Sequence, residues 1–279
     1  MSLTKSVRFG LVIMVLFSAN LGWASSLSDV EILERTAAQR TLVISAAKHY
    51  VLAAAGIDVE ESKGAVIKAK DQFDQNLRLL KMNVPDTYAR NGLKQLQQEW
   101  TGFRSLLEKQ SSQAQVETII EGTNKLVFLA DNLANNWSGL PSSRELELVN
   151  LANFQAMLSE RIGLLYAAHY YGVKQDWVVM ELNETLYEYE SSLDYLERFV
   201  GKDSSTVKHL EQVNNQWNFA KQGFAKFNQG HYLPKVIAVT VASMQQEMQQ
   251  VASHYSQHYE TNHDALVTLS IPGLAANLE

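Results

Sequence analysis

Cysteine is absent from the 279-residue chain, which removes disulfides, thiolate metal sites, iron–sulfur clusters and cysteine nucleophiles together. Proline and glycine are scarce, at 4 and 14, too few for the many tight turns of an all-β protein. Positive charge is in deficit as well. Against 30 Asp and Glu stand 24 Lys and Arg, a formal charge of −6, whereas a nucleic-acid grip needs a basic surface to neutralise phosphates. No nucleic-acid partner is expected. Nor does the chain contain a nucleophile elbow, a phosphate-binding loop or a dinucleotide fingerprint, so neither enzyme activity nor a cofactor is expected. What the chain has is apolar material, 46% of residues against 19% charged. That is globular composition, at a length suited to one large domain or two ordinary ones.

The first residues read as an address. Lys5 and Arg8 precede an apolar run over residues 9–17, and the small residues Gly22 and Ala24 follow at the −3 and −1 positions of a cleavage site. This is the pattern of a secretory signal peptide over residues 1–24, with the bacterial periplasm as the expected compartment. The alternative is an uncleaved segment anchored in the inner membrane, although the apolar run is shorter than the roughly 20 residues that span a bilayer.

Beyond the leader, apolar residues recur at the helical period in eight segments. Ser28-Asp29-Val30-Glu31 has the form of a capping box opening the first helix, which should run to Gly56. The second carries Val66, Phe73, Leu77 and Leu80 on one stripe and stops before Pro85; the third carries Leu96, Trp100, Phe103 and Leu107. The fourth carries Ile119, Thr123, Leu126, Ala130, Leu133 and Trp137. Ser138-Gly139-Leu140-Pro141 is the firmest break. After it, Ser142-Ser143-Arg144-Glu145 reads as another capping box, opening a helix with Leu151, Phe154, Leu158, Ile162 and Leu165 that ends at Gly172. The sixth helix should end at Gly201. The seventh carries Val207, Leu210, Val213, Trp217, Ala220 and Phe224, ending near Gly230, and the eighth starts at Pro234 with Ile237, Val241, Met244, Met248, Val251 and Tyr255. Residues 261–279, with Pro272 and Gly273, read as a tail.

The two halves follow one plan. A shift of 116 places Gln39 on Gln155, Leu42 on Leu158, Tyr50 on Tyr166 and Gly56 on Gly172; a shift of 117 places Trp100 on Trp217. Such a long repeat implies a duplicated domain. The expected fold is therefore all-α, two tandem antiparallel four-helix bundles over residues 28–137 and 142–260, each closing its own interior.

Asn150-Leu151-Ala152-Asn153-Phe154-Gln155-Ala156-Met157-Leu158-Ser159-Glu160-Arg161 resembles the opening helix of the PilJ/NarX-type sensor domain, whose pattern is approximately N-x-A-G-R-Q-R-M-L-S-Q-R. Gln39-Arg40-Thr41-Leu42 resembles the same stretch in a more worn copy, and the helices of Trp100 and Trp217 match the family's later tryptophan-bearing helix. The resemblance implies a helical bundle outside the cytoplasmic membrane, in nitrate/nitrite sensors and pilus-linked chemotaxis transducers. In the nitrate sensors the arginine of the R-M pair binds the anion at a dimer interface. It assigns Arg40 to that arginine, while Ala156 stands at its place in the second half; the last arginine of the motif is Arg161, with Ser45 as its counterpart. Arg40 and Arg161 are thus the expected anion ligands, near the seam of an intrachain pseudo-dimer or a homodimer, since paired guanidinium donors match two oxygens of a planar anion. The plainer reading pairs both arginines with carboxylates of the same protein.

Three function classes follow. The first is an exported sensor-like protein that binds a small anion, nitrate or nitrite being the type, or a membrane sensor or chemotaxis partner. Within these residues lies no kinase or methyl-accepting coiled coil, so its signal must pass to another protein. The second is an adaptor bundle with a decayed ligand site. The third is a metal-binding bundle through His254 and His258, four apart on one helical face, with Glu260 and His263 beyond. For these histidines the plainer reading is a helix end where they complement the dipole. Tyr166, Tyr170 and Tyr171 read as packing or pocket-lining residues, and Glu181, Glu184, Glu188, Glu190 and Asp194 as a solvated acidic face.

Overall fold

A computed structural model describes residues 27–135, 137, 143–199, 204–224, 227 and 230–270, without the side chains of 204, 205 and 264–270. The leader over residues 1–24, the Ser138–Pro141 break, Gly201 and the Pro272–Gly273 tail lie outside the described residues. Within them the chain is all-helical: α1 (Asp29–Ala54), α2 (Val59–Met82), α3 (Thr87–Leu106), α4 (Gln113–Asn135), α5 (Arg144–Tyr171), α6 (Asp176–Phe199), α7 (Ser204–Phe224) and α8 (Pro234–Ser270). No described helix is long and apolar enough to cross a membrane.

Local chemistry sets most of the boundaries. The Ser28 hydroxyl accepts from the Glu31 amide and the Glu31 carboxylate accepts from the Ser28 amide, a complete capping box. Gly56 and Gly172 follow α1 and α5 with φ of 77° and 117°, the left-handed conformation that releases a chain from a helix. The start of α5 differs from expectation. Its cap is Ser143, which accepts from the Leu146 amide, so a leucine occupies the third helical position and no carboxylate reaches back. The end of α8 differs too: the helix continues to Ser270, because nothing between Pro234 and Pro272 is a glycine or proline.

The halves share a contact plan. In α1 the buried Gln39 amide donates to the Phe73 carbonyl of α2 at 3.3 Å; in α5 the buried Gln155 amide donates to the Tyr189 carbonyl of α6 at 3.1 Å. Both pairs are 34 residues apart, and in both the glutamine oxygen has no partner in the protein. Trp100 stacks on Phe73, and Trp217 packs at a tilt against Tyr189, with ring centroids 3.9 and 4.6 Å apart. The bridge of Arg104 to Asp74 reappears as Lys221 to Glu190.

α1 and α5 run side by side in the same direction, since Arg40 meets Asn150 and Lys48 meets Glu160. Against α1 pack α2 and α4; against α5 pack α6 and α8; α3 packs on α4 and α7 on α8. The loop after α1 reaches α8 through Lys235–Asp58, and the loop after α5 reaches α4 through Gln175–Glu117. The helix contacts are compatible with one four-helix group per half, α1–α4 and α5–α8, but the apolar interior is continuous across them. Among the described residues its main cluster runs from Phe73 and Trp100 through Ile44, Val51, Ile162 and Leu165 to Trp217 and Met248, and a smaller one joins Val30, Leu33, Leu146 and Val149. α1 and α5 are consequently buried nearly all round, so a one-sided stripe describes them poorly. Leu151 and Phe154, placed on the α5 stripe, are only half-buried, and Val207 is 37% exposed. Trp100 and Trp217 are core residues, as their stripes require.

Candidate functional site

The two sides of the α1–α5 pair differ in chemistry. On the side of α4 and α6, Arg40 is 95% buried at its side chain and donates to Asp131 of α4 at 2.5 Å and to Asn150 of α5 at 3.3 Å. Arg161 is paired with Glu181 of α6, which Asn124 of α4 also contacts. Glu181 therefore belongs to an ion pair and not to a purely solvated face. Asn150 precedes Arg161 by eleven residues, about 16 Å along the helix, so the two guanidiniums stand too far apart to face each other across one nitrate-sized anion. Each is engaged by a carboxylate of its own protein. Arg40→Ala should lower stability by about 1–3 kcal/mol through loss of charged hydrogen bonds and leave nitrate affinity unchanged. Denaturant titration and calorimetry check both; lost binding with an unchanged fold would restore Arg40 as a ligand.

The opposite side holds a furrow between α2 and α8 and is the better site. It encloses about 520 Å³, within the range of small-ligand pockets. Its floor is small, from Ala38, Thr41 and Ser45 of α1; its walls carry amides, Gln72 and Gln75 of α2 and Gln245 and Gln249 of α8. Arg35, Lys48 and Lys68 line it against a single carboxylate, Glu160, a local excess of positive charge in an acidic chain. Lys68 is exposed and engages no carboxylate among the described residues; Arg35 donates to Asn76 at 3.2 Å and lies 3.8 Å from Glu31.

At the inner end Lys48 and Glu160 form an ion pair of 2.9 Å with side chains 1% and 4% exposed. The stem of Lys48 fits because residue 163 is a glycine: a Cβ there would meet Lys48 Cδ at 2.9 Å and Val241 of α8 at 2.8 Å. The second oxygen of Glu160 accepts no hydrogen bond from any described residue. Beside the pair, burial and then the Lys48 ammonium hold His49 down at about 4, so it is neutral near pH 7. A base whose proton affinity is lower folded than unfolded removes stability as pH falls. Stability should decline as pH drops from about 6.5 to 4, and His49→Asn should flatten that decline in denaturation measured across the window.

The other residues marked in the sequence fall elsewhere. Tyr166 is core, its hydroxyl accepting from the Leu233 amide at 2.8 Å, while Tyr170 packs edge-on against Tyr232. His258 contacts Asn262, His263 stacks on Tyr259, and Glu260 accepts from Ser28. Among the described residues no three His, Asp or Glu side chains gather where a metal could sit. Comparison adds nothing to this geometry. No family model, curated protein or solved structure matches the chain.

Sequence reading missed Lys48 and the partnership of Glu160. The available signal was a lysine inside the apolar stretch from Val43 to Leu52, where a charge requires a partner.

Proposed function

We propose that the protein is an exported, sensor-like binding module of the PilJ/NarX type that takes a small solute bearing an anionic group in the α1–α2–α8 furrow. One observation carries the reading: a furrow of ligand-sized volume sets two cations, Arg35 and Lys68, and a wall of amides over the buried Lys48–Glu160 ion pair that joins the two halves. The side-by-side α1 and α5 take the place of a homodimer seam, so one chain supplies the pseudo-dimer. A solute that favours one packing of α2 and α8 over another would pass its presence to a membrane-bound partner, since coupling is a difference in affinity between two states.

Thermal denaturation of the leaderless protein with nitrate, nitrite and small carboxylates tests this. The expected result is a concentration-dependent rise in Tm that Lys68→Ala and Arg35→Ala each weaken. If no anion shifts the transition, the adaptor reading gains, and its support is that Arg40 and Arg161 are both engaged within the protein.

A further inference from the structure

Resting on the furrow as the binding site, we infer that its ligand is a zwitterion of the amino-acid class, with a cationic nitrogen directed to Glu160 and a carboxylate directed to Lys68. Three observations combine. First, the fold does not require an ion pair here. At a shift of 116, Leu164 stands where Lys48 does and Ile44 where Glu160 does, and both are fully packed core residues. The equivalent positions, one in each half, are thus filled with hydrocarbon, and burying a charge pair instead commonly gives no gain in stability. The pair is a feature of this furrow alone.

Second, the pair is incompletely satisfied in one specific way. Lys48 has Glu160 as its acceptor at 2.9 Å, but the other oxygen of Glu160 has no donor. Glu160 lines the inner end although this oxygen is itself buried, so a ligand meets it by turning the carboxylate about its last torsion, which is broad. The oxygen requires an N–H donor, and a charged one gives the stronger bond.

Third, neither sign alone suits the inner end. A simple anion there meets the Glu160 carboxylate while Lys48 is already engaged; a simple cation meets Lys48 and Lys68. A molecule with an ammonium beside its carboxylate satisfies both, and the Ser45 hydroxyl and the Gln245 amide can donate or accept. Ala65, Ala69 and Ala242 leave room around it.

The test compares, by calorimetry on the leaderless chain, L-glutamate and L-alanine with their deaminated counterparts glutarate and propionate, and with nitrate. At least one amino acid should bind about tenfold or more tightly than its deaminated counterpart, as expected for a charged partner. Glu160→Gln should narrow that ratio, and Lys68→Ala, on an exposed residue that does not support the core, should weaken amino acids and deaminated acids alike. Equal affinity of amino acid and deaminated acid overturns the zwitterion and leaves the anion site standing. Binding by none of the probes overturns both. The wild-type ratio needs no variant, so instability of Glu160→Gln leaves the test decisive.

Discussion

Lys48→Ala is expected to destabilise the protein by about 3–5 kcal/mol, the usual consequence of leaving one member of a buried ion pair without its partner. The truncation strands the Glu160 carboxylate, 4% exposed, with no other cation bonded to it, and opens a void against Gly163, whose missing Cβ makes room for the lysine stem. The double variant Lys48→Leu/Glu160→Ile should recover most of the loss, because it writes into this furrow the residues that already fill the equivalent positions, Leu164 and Ile44. Urea denaturation of the two variants checks the contrast. A double variant as unstable as the single one would mean that the pair is a requirement of the fold. Recovery of stability would separate folding from binding, since the same double variant removes the inner end of the proposed site.

Trp100→Ala is expected to cost about 3–5 kcal/mol, as for other truncations of large buried aromatics. The ring is 2% exposed, stacks on Phe73, and donates from its indole nitrogen to Asp74 at 2.8 Å. Its counterpart Trp217 is 3% exposed and should show a similar loss. The more informative result is the shape of the transition. With one apolar cluster passing through α1 and α5, damage in the first half should be felt in the second, and helical circular dichroism and tryptophan fluorescence should report one coincident transition. Two separated transitions would show that each half holds an interior of its own.

Several features were legible in the sequence because their causes are local. Ser28 and Glu31 lie within one turn, so the cap needs only its own four residues. Gly56 and Gly172 mark left-handed positions that other residues rarely adopt. The repeat of Gln39 in Gln155 and of Trp100 in Trp217 could be read by shifting the chain on itself, and the structure gives the members of each pair equivalent partners, Phe73 and Tyr189. Where neighbouring residues compete, reading was less sure: Ser142 and Ser143 are both plausible caps, and only the position of the Leu146 amide selects Ser143.

The pattern of the chain by itself determined eight helical segments, their order and the likeness of the two halves, because helical periodicity, caps and breakers act over a few residues. Only the tertiary structure decided that α1 and α5 lie together in a shared interior, that Arg40 and Arg161 are engaged by Asp131 and Glu181, and that Lys48 meets Glu160 across 112 residues. A charge's role depends on what it faces, and facing residues are brought together by packing whose range no local pattern encodes.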